Sequence, residues 1–176
     1  MVGRRSFIVF AAAASAAAEA RRASAASTER WIWAQNDAGE EVATAYRVGD
    51  GYNPAALARL RHLFRDLREG VQGPLPALLV DILSVVQEGW GYRRPLLVGS
   101  GFRTPRTNAS LEGAAPASFH LRGSAADISV RGIAPLDLGL AVWTLSQRFG
   151  FMGVGLYRGF VHVDIGPRRA WTRLSS

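Results

Sequence analysis

Gly159-Phe-Val-His162-Val-Asp164-Ile165 alternates with a period of two, the pattern of a strand that gives one face to packing and the other to chemistry. Val161, Val163 and Ile165 share the apolar side; Phe160, His162 and Asp164 share the other. Just upstream, Gly153 to Tyr157 reads as a second strand, joined to the first at Arg158-Gly159. Ser124 to Val130 alternates in the same way, with Asp127 between Ala125 and Ser129 on one face and Ala126, Ile128 and Val130 on the other. Isolated polar groups set in otherwise apolar strands call for an explanation.

His120 supplies one. It lies in Ser118-Phe-His120-Leu-Arg-Gly-Ser-Ala-Ala-Asp127, separated from the Asp127 strand by a glycine-containing turn. Two imidazoles and one or two carboxylates are the ligand types of a catalytic zinc, in which three protein groups leave the fourth position open. The chain has no cysteine, so a thiolate site is excluded and nitrogen and oxygen ligands remain. Each residue alone has an ordinary structural role: a loop histidine, a carboxylate accepting backbone hydrogen bonds, a satisfied core histidine. Taken together, His120, Asp127 and His162 favour a metal site, and with it a metal-dependent hydrolase. The third histidine, His62, sits beside Arg61 and Arg65 off the apolar stripe of its helix and reads as a surface residue.

Outward from these segments the chain has the order of one domain. Trp31-Ile-Trp33 and Val42 to Tyr46 flank Asn36-Asp-Ala-Gly39, the composition of a hairpin. Asn53-Pro54 opens a helix expected over residues 54–68, with Leu57, Leu60, Leu63, Phe64 and Leu67 at helical spacing. Pro74 and Pro76 open a second, largely buried helix ending near Gly89, and Pro135 opens a third that closes near Gly150. Pro95 to Gly99 is a short central strand that exits through Ser100-Gly-Phe-Arg103-Thr-Pro105. Residues 106–119 are mostly loop after one helical turn.

The chain has 176 residues with 48% hydrophobic and 20% charged content and a net charge of +7. All its basic residues are arginine, yet no clustered basic helix or basic-aromatic stripe points to nucleic acid. A mild positive charge helps a domain approach an anionic polymer such as a cell wall. Gly3-Arg4-Arg5-Ser6-Phe7-Ile8 precedes an alanine-rich apolar run and an Ala23-Ser24-Ala25 cleavage site. Residues 1–25 therefore resemble a twin-arginine export signal. That implies a periplasmic protein in which residues 26–176 form the folded domain. The apolar run is too short to span about 30 Å of hydrocarbon, so stable membrane insertion after removal of the leader is not expected. Nothing in the sequence sets an oligomeric state.

Ser118-x-His120-x-x-Gly123-x-Ala125-x-Asp127, with Ser100-Gly-Phe-Arg103-Thr before it and Gly159-Phe-Val-His162-Val-Asp164 after it, resembles the zinc D-Ala-D-Ala carboxypeptidase and murein endopeptidase superfamily. Within it the chain is most similar to a periplasmic murein endopeptidase branch. Asn36 to Glu40, Leu63 to Asp66 and Thr107 to Leu111 extend the similarity over about residues 30–171. The resemblance implies a small single α+β domain, with an antiparallel sheet carrying the zinc site and packed against helices. It implies His120, Asp127 and His162 as zinc ligands, Arg103 as a group that binds a substrate carboxylate or stabilises an oxyanion, and Ser118 as a substrate contact. It also implies peptidoglycan as partner and peptide crosslinks ending on diaminopimelate as substrate. D-alanyl carboxypeptidase activity or an inactive metal-bearing binding module are the alternatives. Metal-assisted hydrolysis needs a side chain to take and return a proton. Relatives with histidine two places before the last ligand have Phe160 here, and those with glutamate three places before it have Gly159. Asp164 is thus the expected general base, with orientation of a ligand histidine as its equal alternative. Asn108 is expected to order the loop without touching the chemistry.

Overall fold

A computed structural model describes residues 29–174; the leader expected at residues 1–25 lies outside them. The chain begins with an antiparallel hairpin, β1 (Glu29–Asn36) and β2 (Glu41–Val48). The side-chain carbonyl of Asn36 accepts from the N–H groups of Ala38 and Glu40 and closes its turn. After β3 (Gly51–Tyr52), Asn53 caps α1 (Pro54–Leu63) by accepting from Ala55 and Ala56. The helix stops about a turn short of the expected end because the next residues are held elsewhere. The Phe64 carbonyl accepts from the Phe102 N–H, and the buried Asp66 carboxylate accepts from Arg68, Glu69 and Thr104. Then come α2 (Ala77–Glu88), β4 (Leu96–Ser100), α3 (Pro105–Ser110), a 3-10 turn at Phe119–Arg122 and β5 (Ala125–Ser129). The order closes with α4 (Pro135–Phe149), β6 (Phe151–Tyr157), β7 (Val161–Pro167) and β8 (Arg169–Arg173).

All eight strands form one sheet in the order β3-β2-β1-β4-β5-β7-β6-β8. The expected antiparallel sheet is in fact mixed, because β1 runs parallel to β4 and β6 parallel to β8. Between β1 and β4 the chain makes an excursion through β2, β3 and two helices and re-enters in its original direction, the kind of long crossover parallel pairing requires. β8 starts one residue after β7 yet pairs on the far edge of β6. Helices α1, α2 and α4 cover one face, where Leu60, Leu83 and Val142 pack with Ile32, Val98, Ile128 and Val163 in a single core. The opposite face carries Asp127 and His162.

β1 meets β4 only at Ala34–Asn36, so its earlier backbone groups need other partners. Gln87 of α2, 2% exposed, provides them. Its Oε1 accepts from the Trp33 N–H at 2.8 Å, and its Nε2 donates to the carbonyls of Trp33 at 2.6 Å and Arg94 at 2.9 Å. One amide thus replaces a stretch of ladder between the splayed strands. Gln87→Leu should lower the unfolding free energy by about 1–3 kcal/mol for each backbone group left without a partner, read as a lower urea midpoint. An unchanged midpoint would show that the strands hold without this bridge.

Candidate metal centre

The register of β5 with β7 brings the first two candidate ligands together. Asp127 stands directly opposite His162, and Ala125 opposite Asp164. The third comes from the 3-10 turn, which is fixed at both ends. Ser118 Oγ accepts from the His120 N–H at 3.3 Å, and Gly123 closes the turn at φ 62°. A Cβ at Gly123 would fall 1.7 Å from the Pro74 carbonyl oxygen, so no other residue fits. The turn is also tied to the Arg103 loop, because the Arg103 N–H donates to the His120 carbonyl at 3.1 Å.

His120 Nε2, Asp127 Oδ1 and His162 Nδ1 form a triangle with sides of 3.2, 2.9 and 3.1 Å. Three ligands of a tetrahedral zinc with bonds of about 2.0–2.1 Å stand about 3.3 Å apart, so both the donor set and its spacing fit such an ion. The outer nitrogens identify the tautomers. His120 Nδ1–H donates to the Gly101 carbonyl at 2.6 Å, and His162 Nε2–H donates to Asp164 Oδ2 at 3.0 Å. Each partner only accepts, so both imidazoles turn a lone pair toward Asp127. Electron-rich atoms at such separations repel one another unless a cation or a shared proton lies among them.

The surroundings shift the titration of all three groups. Burial is the largest influence on His120 and pushes its pKa below the usual value despite the pull of Asp127. Burial works the same way on His162, but the neighbouring carboxylates of Asp127 and Asp164 outweigh it and raise the pKa. Burial disfavours the Asp127 carboxylate, yet the two imidazoles hold its pKa below the usual carboxylate range.

The other expected residues surround the triangle. Arg103 donates through Nε to Ser100 Oγ at 2.7 Å and through Nη2 to Asp127 Oδ2, so it holds the oxygen that faces away from the imidazoles. Ser118 and Arg103 both line the cleft above the site. Asp164, fully buried, lies behind His162, and every position around it is taken. Its Oδ1 accepts from Gly153, Gly166 and Arg169, and its Oδ2 from His162 and Arg169. Burial raises its pKa, but the hydrogen bonds from His162 and Arg169 prevail and lower it. The His162 ring therefore separates the expected general base from the ligand triangle. Asn108 donates to the Ala115 carbonyl at 3.0 Å and ties the loop together, and His62 lies exposed beside Gln72, apart from the triangle.

Sequence reasoning missed Arg169 and Trp171 on β8. Arg169 grips Asp164 through both oxygens, and the Trp171 ring lies 5.3 Å from that of His162. The period-two run Arg169-Ala-Trp171-Thr-Arg173 was one available signal. Gly153-x-Gly155 was another: a Cβ at Gly153 would lie 2.3 Å from Asp164 Oδ2, and one at Gly155 2.6 Å from the Trp171 ring. The site opens on two clefts of about 820 and 460 Å³, which share Arg103, Leu111, Asp127 and Phe160.

Residues 23–171 match the M15-type peptidase family described as peptidoglycan L,D-endopeptidase MepK. Over 139 residues the chain is 38% identical to peptidoglycan L,D-endopeptidase MepK of Escherichia coli (strain K12), covering 76% of this chain and 74% of the relative. The protein of that name from Shigella flexneri matches to the same extent. The probable peptidoglycan L,D-endopeptidase MepK of Haemophilus influenzae is 31% identical over 140 residues, covering 76% of this chain and 73% of the relative. No solved structure matches the chain.

A carboxylate that orients a ligand histidine and one that takes protons respond differently to loss of charge. Asp164→Asn should weaken binding of a divalent metal by about 10–100-fold, measured by competition with a chromophoric chelator. An unchanged affinity would remove the orienting role.

Proposed function

Because the chain belongs to the M15-type peptidase family of peptidoglycan L,D-endopeptidase MepK, we propose that it hydrolyses peptide crosslinks of peptidoglycan at His120, Asp127 and His162. The ligand triangle is the observation that carries this reading: three buried donors at zinc-like spacing, with tautomers set by accept-only partners. Zinc is the proposed ion, and when bound it supplies Lewis acidity toward a scissile carbonyl and lowers the pKa of water.

The side chains divide the remaining work. Asp164, held by Arg169, keeps the His162 ring oriented with its Nδ1 toward the other ligands, and we assign it this positioning role in preference to proton transfer. Arg103 holds Asp127 in place through Oδ2 while its guanidinium lines both clefts. A substrate carbonyl or carboxylate beside Asp127 would meet its remaining N–H groups. Ser118 holds the His120 turn at the cleft wall, where a substrate amide passes.

A second cleft that meets the first at Arg103 and Asp127 leaves room for a chain that continues in both directions from the scissile bond. That favours endopeptidase action over trimming of a terminal D-alanine, which needs only one. Periplasmic action follows from the substrate, and export of the folded domain by the twin-arginine route is the proposed role of residues 1–25. No helix among the described residues is long and apolar enough to cross a membrane.

Purified protein incubated with crosslinked sacculi should convert muropeptide dimers to monomers, resolved by liquid chromatography. Chelator should stop the conversion and added zinc restore it, and His120→Ala should abolish both zinc binding and cleavage. Intact crosslinks at full zinc occupancy would contradict the enzyme reading and leave a binding module.

A further inference from the structure

The larger cleft is cationic. Arg103, Arg122, Arg169 and Arg173 line it, and apart from Asp127 the one carboxylate on its wall is Glu112. Three of these guanidiniums are already engaged: Arg103 with Ser100 and Asp127, Arg169 with Asp164, and Arg173 with the Gly113 carbonyl at 2.8 Å. Arg122 differs. Its guanidinium stacks on the Phe119 ring, with Cζ 4.4 Å from the centroid, and makes no ion pair or side-chain hydrogen bond among the described residues. Arg169 lies 5.0 Å from the same ring, so two cations approach Phe119.

Stacking of this kind fixes the guanidinium plane and leaves its N–H fork free, the state in which arginine binds a planar anion through two bonds. Position matters as much as charge. Arg122 sits on the same four-residue turn as His120, closed by Ser118 on one side and by Gly123 against Pro74 on the other. An anion held at Arg122 is therefore held at a set distance from the ligand triangle. We propose that Arg122 is the anchor for a free carboxylate of the crosslinked stem, and that it makes the protein selective for acidic over amidated diaminopimelate. The proposal rests on the endopeptidase reading.

Two crosslinked muropeptide dimers that differ only in amidation of a diaminopimelate carboxylate test it. The wild-type protein should prefer the free acid by about 10–100-fold in kcat/KM, mainly through KM. Arg122→Gln should bring that ratio close to one, and Arg122→Lys should retain part of it, because lysine keeps the charge but lacks the fork. A wild-type protein indifferent to amidation, or an Arg122→Gln variant that keeps the full ratio, would overturn the anchor. If the wild-type protein cleaves neither dimer, the endopeptidase reading falls, and titration calorimetry of the same pairs decides the anchor. Acid selectivity that is lost in Arg122→Gln supports it; equal binding of both dimers overturns it.

Discussion

The pairing of β5 with β7 governs the architecture, because it sets Asp127 opposite His162. A slip of one residue would turn every side chain to the other face of the sheet. Such a slip would drive a carboxylate and an imidazole into the layer now filled by Ala126, Ile128, Val161 and Val163. Burial of those aliphatic residues is worth about 25 cal/mol for each Å² removed from water. The hydrophobic core therefore selects the register, and the register builds the candidate site on the opposite face.

The second constraint is charge. Asp127 and Asp164 are buried carboxylates, and an unpaired buried charge is strongly destabilising. Each has a guanidinium as partner: Arg103 holds Asp127, and Arg169 holds Asp164, which also accepts from the His162 Nε2–H. Arg169 reaches its partner because β6 has Gly153 where a side chain would stand in the way. The row Arg169–Asp164–His162 thus runs inward from β8 to the triangle, and it explains why a short edge strand matters to the site.

Much of this was legible in the sequence, and the physical reasons for the remainder are specific. Period-two alternation revealed β5 and β7 and the side of each that carries Asp127 and His162. The helix starts at Asn53-Pro54 and Pro135 were visible because capping and proline chemistry are local. Strand direction was not visible, since alternation is the same in parallel and antiparallel pairs; hence the mixed sheet. The early end of α1 depends on Phe102 and Thr104, some forty residues away, and no local signal announces it. The setting of Asp164 was the subtlest case. Its place on the same strand face as His162 was plain, but the ring edge it would meet, and the presence of Arg169, depended on how β8 returns to the sheet.

X-ray absorption at the zinc K-edge on the purified full chain would decide whether the triangle holds an ion. One zinc per chain is expected, bound by two imidazole nitrogens and one carboxylate oxygen at about 2.0–2.2 Å, with that signature lost in Asp127→Ala. A chain that takes up no zinc, or one whose bound zinc keeps the same coordination without Asp127, would contradict the assignment.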